Sequence, residues 1–235
     1  MLIGIAVILP LIAISANAAL NAEPGAVTEA EVAPDRETSR LPNVLIIGDS
    51  ISLGYTDDVR VQLAGQANVF RAPGNSGPSS CGVECVDEWI AEHPGNWSVI
   101  HFNFGLHDIK LAPSCKDDPY VGGHQVTPDQ YEANLRSVVS RLKMTGARLI
   151  FATTTSVPAG SLDPPRTRGD ELAYNDIAVK IMTASAVAID DLYNVALPVI
   201  NEIQLNQNVH FTSDGYAMLA KAVALSINSA LSTTE

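Results

Sequence analysis

Positive charge is in short supply in this chain. Its 14 Lys and Arg stand against 26 Asp and Glu, giving a net charge of −12 over 235 residues. Nucleic acids and anionic membrane surfaces are gripped by basic patches, so a chain this acidic is not expected to bind either. Cysteine is scarcer still, with 3 in the chain. Cys81, Cys85 and Cys115 have no matching histidine at zinc-ligand spacing, which argues against zinc as the alternative to a bridge. In an exported chain the odd count allows one bridge, Cys115 to Cys81 or to Cys85, and one thiol left over. Long hydrophobic runs are missing too, apart from Leu2 to Ile14, which is too short to span a bilayer comfortably. That run is followed by Ala16-Asn17-Ala18, the small-residue pattern of a cleavage site. Residues 1–18 therefore read as a secretory signal peptide, although no Lys or Arg precedes the run. No cysteine lies near the site, which argues against a lipoprotein anchor.

What remains is ordinary for a globular protein: 46% hydrophobic and 17% charged residues. Residues 19–40 are rich in Ala, Glu, Pro and Thr without an apolar period, and read as a disordered leader. Residues 41–235 read as one domain, long enough for a substantial core and free of internal repeats. Within it strands and helices alternate. Val44 to Gly48, Ala67 to Ala72, Trp97 to Phe104, Arg148 to Thr154 and Val187 to Asp190 read as strands. Thr56 to Ala64, Val83 to Glu92 (stopped by Pro94-Gly95), Asp170 to Ala186 and Ser213 to Ala230 read as helices. A longer helix opens at Thr127-Pro128, carries a Leu135, Val138, Val139, Leu142 stripe and closes at Gly146. This alternation predicts an α/β protein with a parallel sheet covered by helices on both faces. The connections Leu106 to Val126 and Thr155 to Gly169 are long for a compact domain. Both follow strands, which puts them at the carboxyl edge of the sheet.

Asn43-Val44-Leu45-Ile46-Ile47-Gly48-Asp49-Ser50 is the most informative segment. An apolar, β-branched run of this kind is a buried parallel strand, and it ends in a serine where open α/β sheets place their chemistry. Ser50 is a candidate nucleophile. A serine hydroxyl needs a base, and histidine is the usual one. The chain offers His93, His101, His107, His124 and His210. His210 precedes the last helix, where a loop residue can face the same edge.

Gly48-Asp49-Ser50, Ser76-Gly77, the Gly105-Leu106-His107-Asp108 turn and His210 occur in one order. From Pro42 to the C-terminus, that order resembles the SGNH (GDSL-type) hydrolase superfamily. The resemblance implies a flavodoxin-like three-layer α/β/α sandwich with a five-stranded parallel sheet. It implies Ser50 as nucleophile and His210 as base, with the backbone N–H groups of Ser50 and Gly77 in the oxyanion hole. It also implies acyl-enzyme hydrolysis of an ester without a metal or organic cofactor.

Two positions depart from the family pattern. His107 stands where the family has an oxyanion-donating Asn. A neutral imidazole can donate one N–H, so His107 is the candidate substitute, with Asn103 on the preceding strand as the second. Gln207 stands where the family has the triad Asp. Orientation of His210 then falls to a main-chain carbonyl, to the amide oxygen of Asn206, Gln207 or Asn208, or to a remote acid, Asp190 or Asp191. Asp49 and Asp108 read as turn-forming carboxylates. Arg166 and Arg168 read as solvated rather than substrate-binding.

The expected protein is a monomeric exported esterase, secreted or periplasmic, not attached to a membrane once the signal is cleaved. Small acyl groups, acetyl above all, on small-molecule or carbohydrate esters are its expected substrates. Trp89, Trp97, Tyr120 and Tyr55 are candidates for a sugar platform. The alternatives are a short-chain esterase or lysophospholipase, or a non-catalytic carbohydrate-binding protein of the same fold. No loop is long and apolar, as a lipase surface requires.

Overall fold

Val44, Leu45, Ile46 and Ile47 are each at most 1% exposed. They form β1 (Asn43–Ile47) near the middle of the sheet in a computed structural model that describes residues 41–93, 96–111 and 123–233. The signal and leader, Pro94-Gly95, Cys115 with its bridge, and Tyr120 lie outside those residues. Taking four such side chains out of water contributes about 1.5–3 kcal/mol each, so this strand anchors the core.

The chain continues through α1 (Ser50–Gln62), β2 (Asn68–Arg71), α2 (Ser79–Ala91), β3 (Trp97–Phe102), α3 (Pro128–Lys143), β4 (Arg148–Ala152), α4 (Asp170–Ala184) and β5 (Ala188–Asp190). Three short helical pieces follow: α5 (Leu192–Ala196), a 3-10 turn at Leu197–Val199, and α6 (Ile200–Ile203). The described chain then ends with α7 (Ser213–Ser232). All strands are parallel, in the order β2-β1-β3-β4-β5. Helix α1 packs on α7, and α5 on α7, while α2 packs on α3 and α3 on α4. The result is the expected flavodoxin-like sandwich. From β1 the chain steps outward to β2, then returns to the other side of β1 as β3. The carboxyl ends of β1 and β3 therefore flank a switch point, where open sheets leave a crevice.

Strand centres follow the sequence closely, and helix ends do not. Helix α1 begins at Ser50, six residues before the expected Thr56. Asp49 is its N-cap and accepts the Ile51 N–H at 2.9 Å, so the turn-forming aspartate is also a helix start. Helix α2 begins at Ser79 rather than Val83. Its N-cap, Pro78, supplies no side-chain bond. The Asp108 carboxylate, from a distant loop, accepts the Ser79 N–H at 2.9 Å instead. The helical pieces over Leu192–Ile203 were not expected at all, being too short for a periodic stripe. By contrast α3 forms as read, with Thr127 and Gln130 making a reciprocal capping box.

Candidate active site

Ser50 is the first residue of α1 and half-buried. The first amides of a helix have no intrahelical acceptor, so the Ser50 N–H is free to face an anion at the positive end of the helix dipole. The turn that presents Ser50 is stapled from both sides. Ser76 N–H donates to Gly48 O at 3.1 Å, and Gly48 N–H donates to Ser76 Oγ at 3.2 Å. From β2, the Arg71 guanidinium donates through Nη2 to Gly48 O (2.8 Å) and to Ser52 Oγ (2.9 Å). Its Nη1 donates to Ala72 O at 2.7 Å and also to Gly74 O. Arg71 thus ties the serine turn to the loop that carries Gly77. Sequence reasoning missed it. The only signal was a charge at the end of an otherwise apolar short strand.

The structure separates the five histidines. His93 stacks on Phe70, with ring centroids 4.2 Å apart. His101 is fully buried, with Nε2 at 3.0 Å from Asp190 Oδ2. His124 Nε2 lies 2.6 Å from Asp170 Oδ2. His107 Nδ1 accepts from Lys110 Nζ at 2.9 Å. Only His210 reaches the serine: its Nε2 lies 2.8 Å from Ser50 Oγ. On the other side of the ring, Nδ1 lies 2.7 Å from Asn208 Oδ1, and the His210 backbone N–H donates to the same oxygen at 3.0 Å. An oxygen that accepts from both groups puts the imidazole proton on Nδ1 and leaves Nε2 as the acceptor for the serine hydroxyl.

The loop around this histidine is held by Leu205 N–H to His210 O (2.9 Å) and Thr212 N–H to Ile203 O (2.8 Å). Of the candidate orienting groups, it is Asn208 that meets Nδ1. Gln207 does not: it sits at φ 48 with its side chain near Gly160. Asn206 lines a neighbouring pocket. The remote acids are also spent elsewhere, Asp190 on His101 and Asp191 on Thr153 Oγ1 and Asn194.

The oxyanion candidates divide. Gly77 has φ 66, in the left-handed region that favours glycine, and its N–H donates to Asn75 Oδ1 at 3.0 Å. That bond is an exposed Asx turn, so a substrate oxygen would have to share or displace it. Asn103 commits Nδ2 to Ala152 O at 2.7 Å, across to the next strand, and serves the sheet. His107 is held neutral: burial, then the charges of Lys110, Arg166 and His210, lower its pKa to about 4. A lysine ammonium can only donate, so the Lys110 contact leaves the His107 proton on Nε2.

Gly105, which opens this turn, has φ 150, and a Cβ there would meet Thr154 Oγ1 at 2.1 Å. No larger residue fits. Asp108 closes the turn, and burial pushes its carboxyl to about 6 against the pull of the Ser79 hydroxyl and amide. Asp49 is likewise pushed above its usual range by burial, with the Ile51 N–H and the Arg166 charge pulling back. Both aspartates hold backbone rather than facing the pocket.

Ser50, His107 and His210 line a pocket of about 190 Å³ together with Lys110, Asp163 and Arg166. Arg166 is therefore not the solvated side chain expected from sequence. Arg168 lines an adjoining pocket of about 390 Å³, whose wall shares Gln207 with the first. Trp89 and Trp97 are core residues, and Tyr55 is 1% exposed, so none of the three is a sugar platform. Among the described residues no three His, Cys, Asp or Glu side chains gather as a metal-ligand set.

No family model and no curated protein sequence matches the chain. Solved structures do. A lipase/acylhydrolase from Enterococcus faecalis superposes with a TM-score of 0.67 at 19% identity, covering 80% of this chain and 96% of that one. For an acetylxylan esterase from Geobacillus stearothermophilus the TM-score is 0.62 at 19% identity, covering 80% and 94%. A putative SGNH hydrolase from Slackia heliotrinireducens gives 0.60 at 14% identity, covering 80% and 100%. The chain has the three-layer fold of the SGNH hydrolases.

Proposed function

We propose that the protein is a carboxylic ester hydrolase of the SGNH type, with Ser50 as nucleophile and His210 as general base. The observation that carries this reading is the line from Ser50 Oγ through the His210 imidazole to Asn208 Oδ1, at 2.8 and 2.7 Å. Ser50 Oγ attacks the acyl carbon as its proton passes to His210 Nε2. The imidazolium then protonates the leaving alcohol, and water, activated by the same base, releases the acid. The helix-terminal Ser50 N–H, the Gly77 N–H and His107 Nε2–H are the donors proposed for the oxyanion. One such donor is worth about 10²–10³ in kcat. His107 is suited to this because it is neutral above about pH 4 and so donates without adding a cation beside protonated His210.

A small acyl group, acetyl first, on a carbohydrate is the proposed substrate. A pocket of about 190 Å³ suits a short acyl chain. The adjoining pocket is lined by Asn201, Asn206 and Gln207, residues whose amide groups can pair with sugar hydroxyls. Several solved structures of this fold are acetylxylan esterases. Action outside the cytoplasm is proposed from Ala16-Asn17-Ala18 and the run before it.

Turnover of p-nitrophenyl acetate by the purified protein tests the activity. The expected result is hydrolysis that Ser50→Ala and His210→Ala each abolish. Equal rates in wild type and Ser50→Ala would overturn the reading.

A further inference from the structure

We propose that Arg166 anchors a carboxylate of the substrate, so that the preferred ester carries a negative charge close to its acyl group. This rests on the hydrolase reading above and adds the substrate's charge to it. Arg166 lies on the loop between β4 and α4 and lines the same pocket as Ser50 and His210. Its Nε donates to Leu106 O at 2.7 Å and its Nη1 to Pro164 O at 3.1 Å. Two backbone carbonyls thereby fix the plane of the guanidinium, and Nη2 makes no bond to the described residues.

No carboxylate pairs with Arg166 among the described residues; Arg60, Arg136 and Arg141 are paired, while Arg71 and Arg148 are, like Arg166, held by backbone carbonyls. Lys110, the other cation in this wall, is also half-buried, whereas the one acid there, Asp163, is exposed. The pocket thus has the opposite charge bias to the molecule as a whole. A guanidinium drawn partly out of water is costly; the buried Asp49 carboxylate offsets that only through space, with no ion pair among the described residues, and an incoming anion lowers the cost further. A fixed planar fork suits a carboxylate in bidentate geometry, and a phosphate nearly as well. The carboxylate is favoured. The apolar part of the wall is short, Leu162, Pro164 and Val209, and gives a phospholipid's chain nowhere to lie. The adjoining amide-lined pocket instead suits the rest of an acidic sugar.

The test compares three acetyl esters: an O-acetylated methyl glucuronide, the matched O-acetylated methyl glucoside, and acetylated glycerol phosphate. The enzymes are wild type, Arg166→Lys and Arg166→Gln. For wild type, kcat/KM is expected to favour the glucuronide over the glucoside by about 10- to 100-fold, the worth of a charge-assisted pair. Most of the effect should lie in KM. Arg166→Gln should bring the ratio close to one, and Arg166→Lys should keep part of it. No preference in wild type, or equal losses on both sugars in Arg166→Gln, would overturn the proposal. Preference for the phosphate ester over the glucuronide would overturn the carboxylate assignment. If no ester is turned over, the hydrolase reading has failed on its own. Calorimetric binding of methyl glucuronide to wild type and to Arg166→Gln then reads the anchor: weaker binding in the variant supports it, and equal binding or none in wild type overturns it.

Discussion

Asn208 accepts two hydrogen bonds from a single histidine, and this defines the site more sharply than any residue the family pattern supplies. Its amide oxygen fixes the tautomer of His210 but brings no full charge to stabilise imidazolium. Removing it should lower kcat by about 10²-fold, at the lower end of what a positioned base contributes. Asn208→Asp keeps both bonds and adds the charge, so it should raise kcat. Gln207→Asp, at the position the family gives to its acid, should not, because that side chain faces Gly160. Steady-state kinetics of the three variants check this. A gain in Gln207→Asp with none in Asn208→Asp would contradict the assignment.

Ser50 and His210 were legible because a strand end and a pre-helix loop announce them. Asn206, Gln207 and Asn208 are three amides in a row, equivalent on paper. Only the loop's turn, with Gln207 at φ 48, decides which one meets the ring. Arg71 and Arg166 were illegible for another reason: each is held in part by a backbone carbonyl distant in sequence, Gly48 O for Arg71 and Leu106 O for Arg166, which leaves no mark on local composition.

At the scale of elements, strands were readable and helix starts were not. The Val44 to Ile47 run can only be buried, whereas α1 and α2 begin with residues that carry no apolar stripe. Their starts are set by capping: Asp49 locally for α1, and Asp108 across the fold for α2. Asp108 therefore holds the His107 turn against the segment that follows Gly77.

That role has a pH signature. Its carboxyl is raised to about 6 in the folded chain from an ordinary value of 3.8, so the native state binds the extra proton between those values. The contribution of this group to stability then falls as pH rises from about 4 to 6, by about 3 kcal/mol for a shift of this size. Asn at this position keeps an oxygen for Ser79 and does not titrate. Relative to wild type, Asp108→Asn should gain about 3 kcal/mol between pH 4 and pH 7. Urea unfolding at the two pH values measures it, and an unchanged difference would contradict the buried-carboxylate account.

Across the whole molecule, the alternation of strands and helices was enough to give the layers, and the resemblance gave the sheet. The strand order β2-β1-β3-β4-β5 puts the ends of β1 and β3 beside one another. Residues 50 and 107, far apart in the chain, consequently face one pocket with His210. What bulk composition hid is the charge of that pocket. A net charge of −12 suggests a molecule that avoids anions, yet two half-buried cations line the wall beside the serine.

The central claim concerns one serine among the many in this chain. Among the described residues, only Ser50 combines a helix N-terminus, a hydrogen bond to a histidine of the right tautomer and an open pocket. The measurement that tests it most directly is fluorophosphonate labelling of the intact protein, followed by peptide mass spectrometry. The account predicts a single adduct, on Ser50, that is lost in His210→Ala. An adduct on Ser52 or Ser76 instead, or labelling of Ser50 that is indifferent to His210, would contradict it.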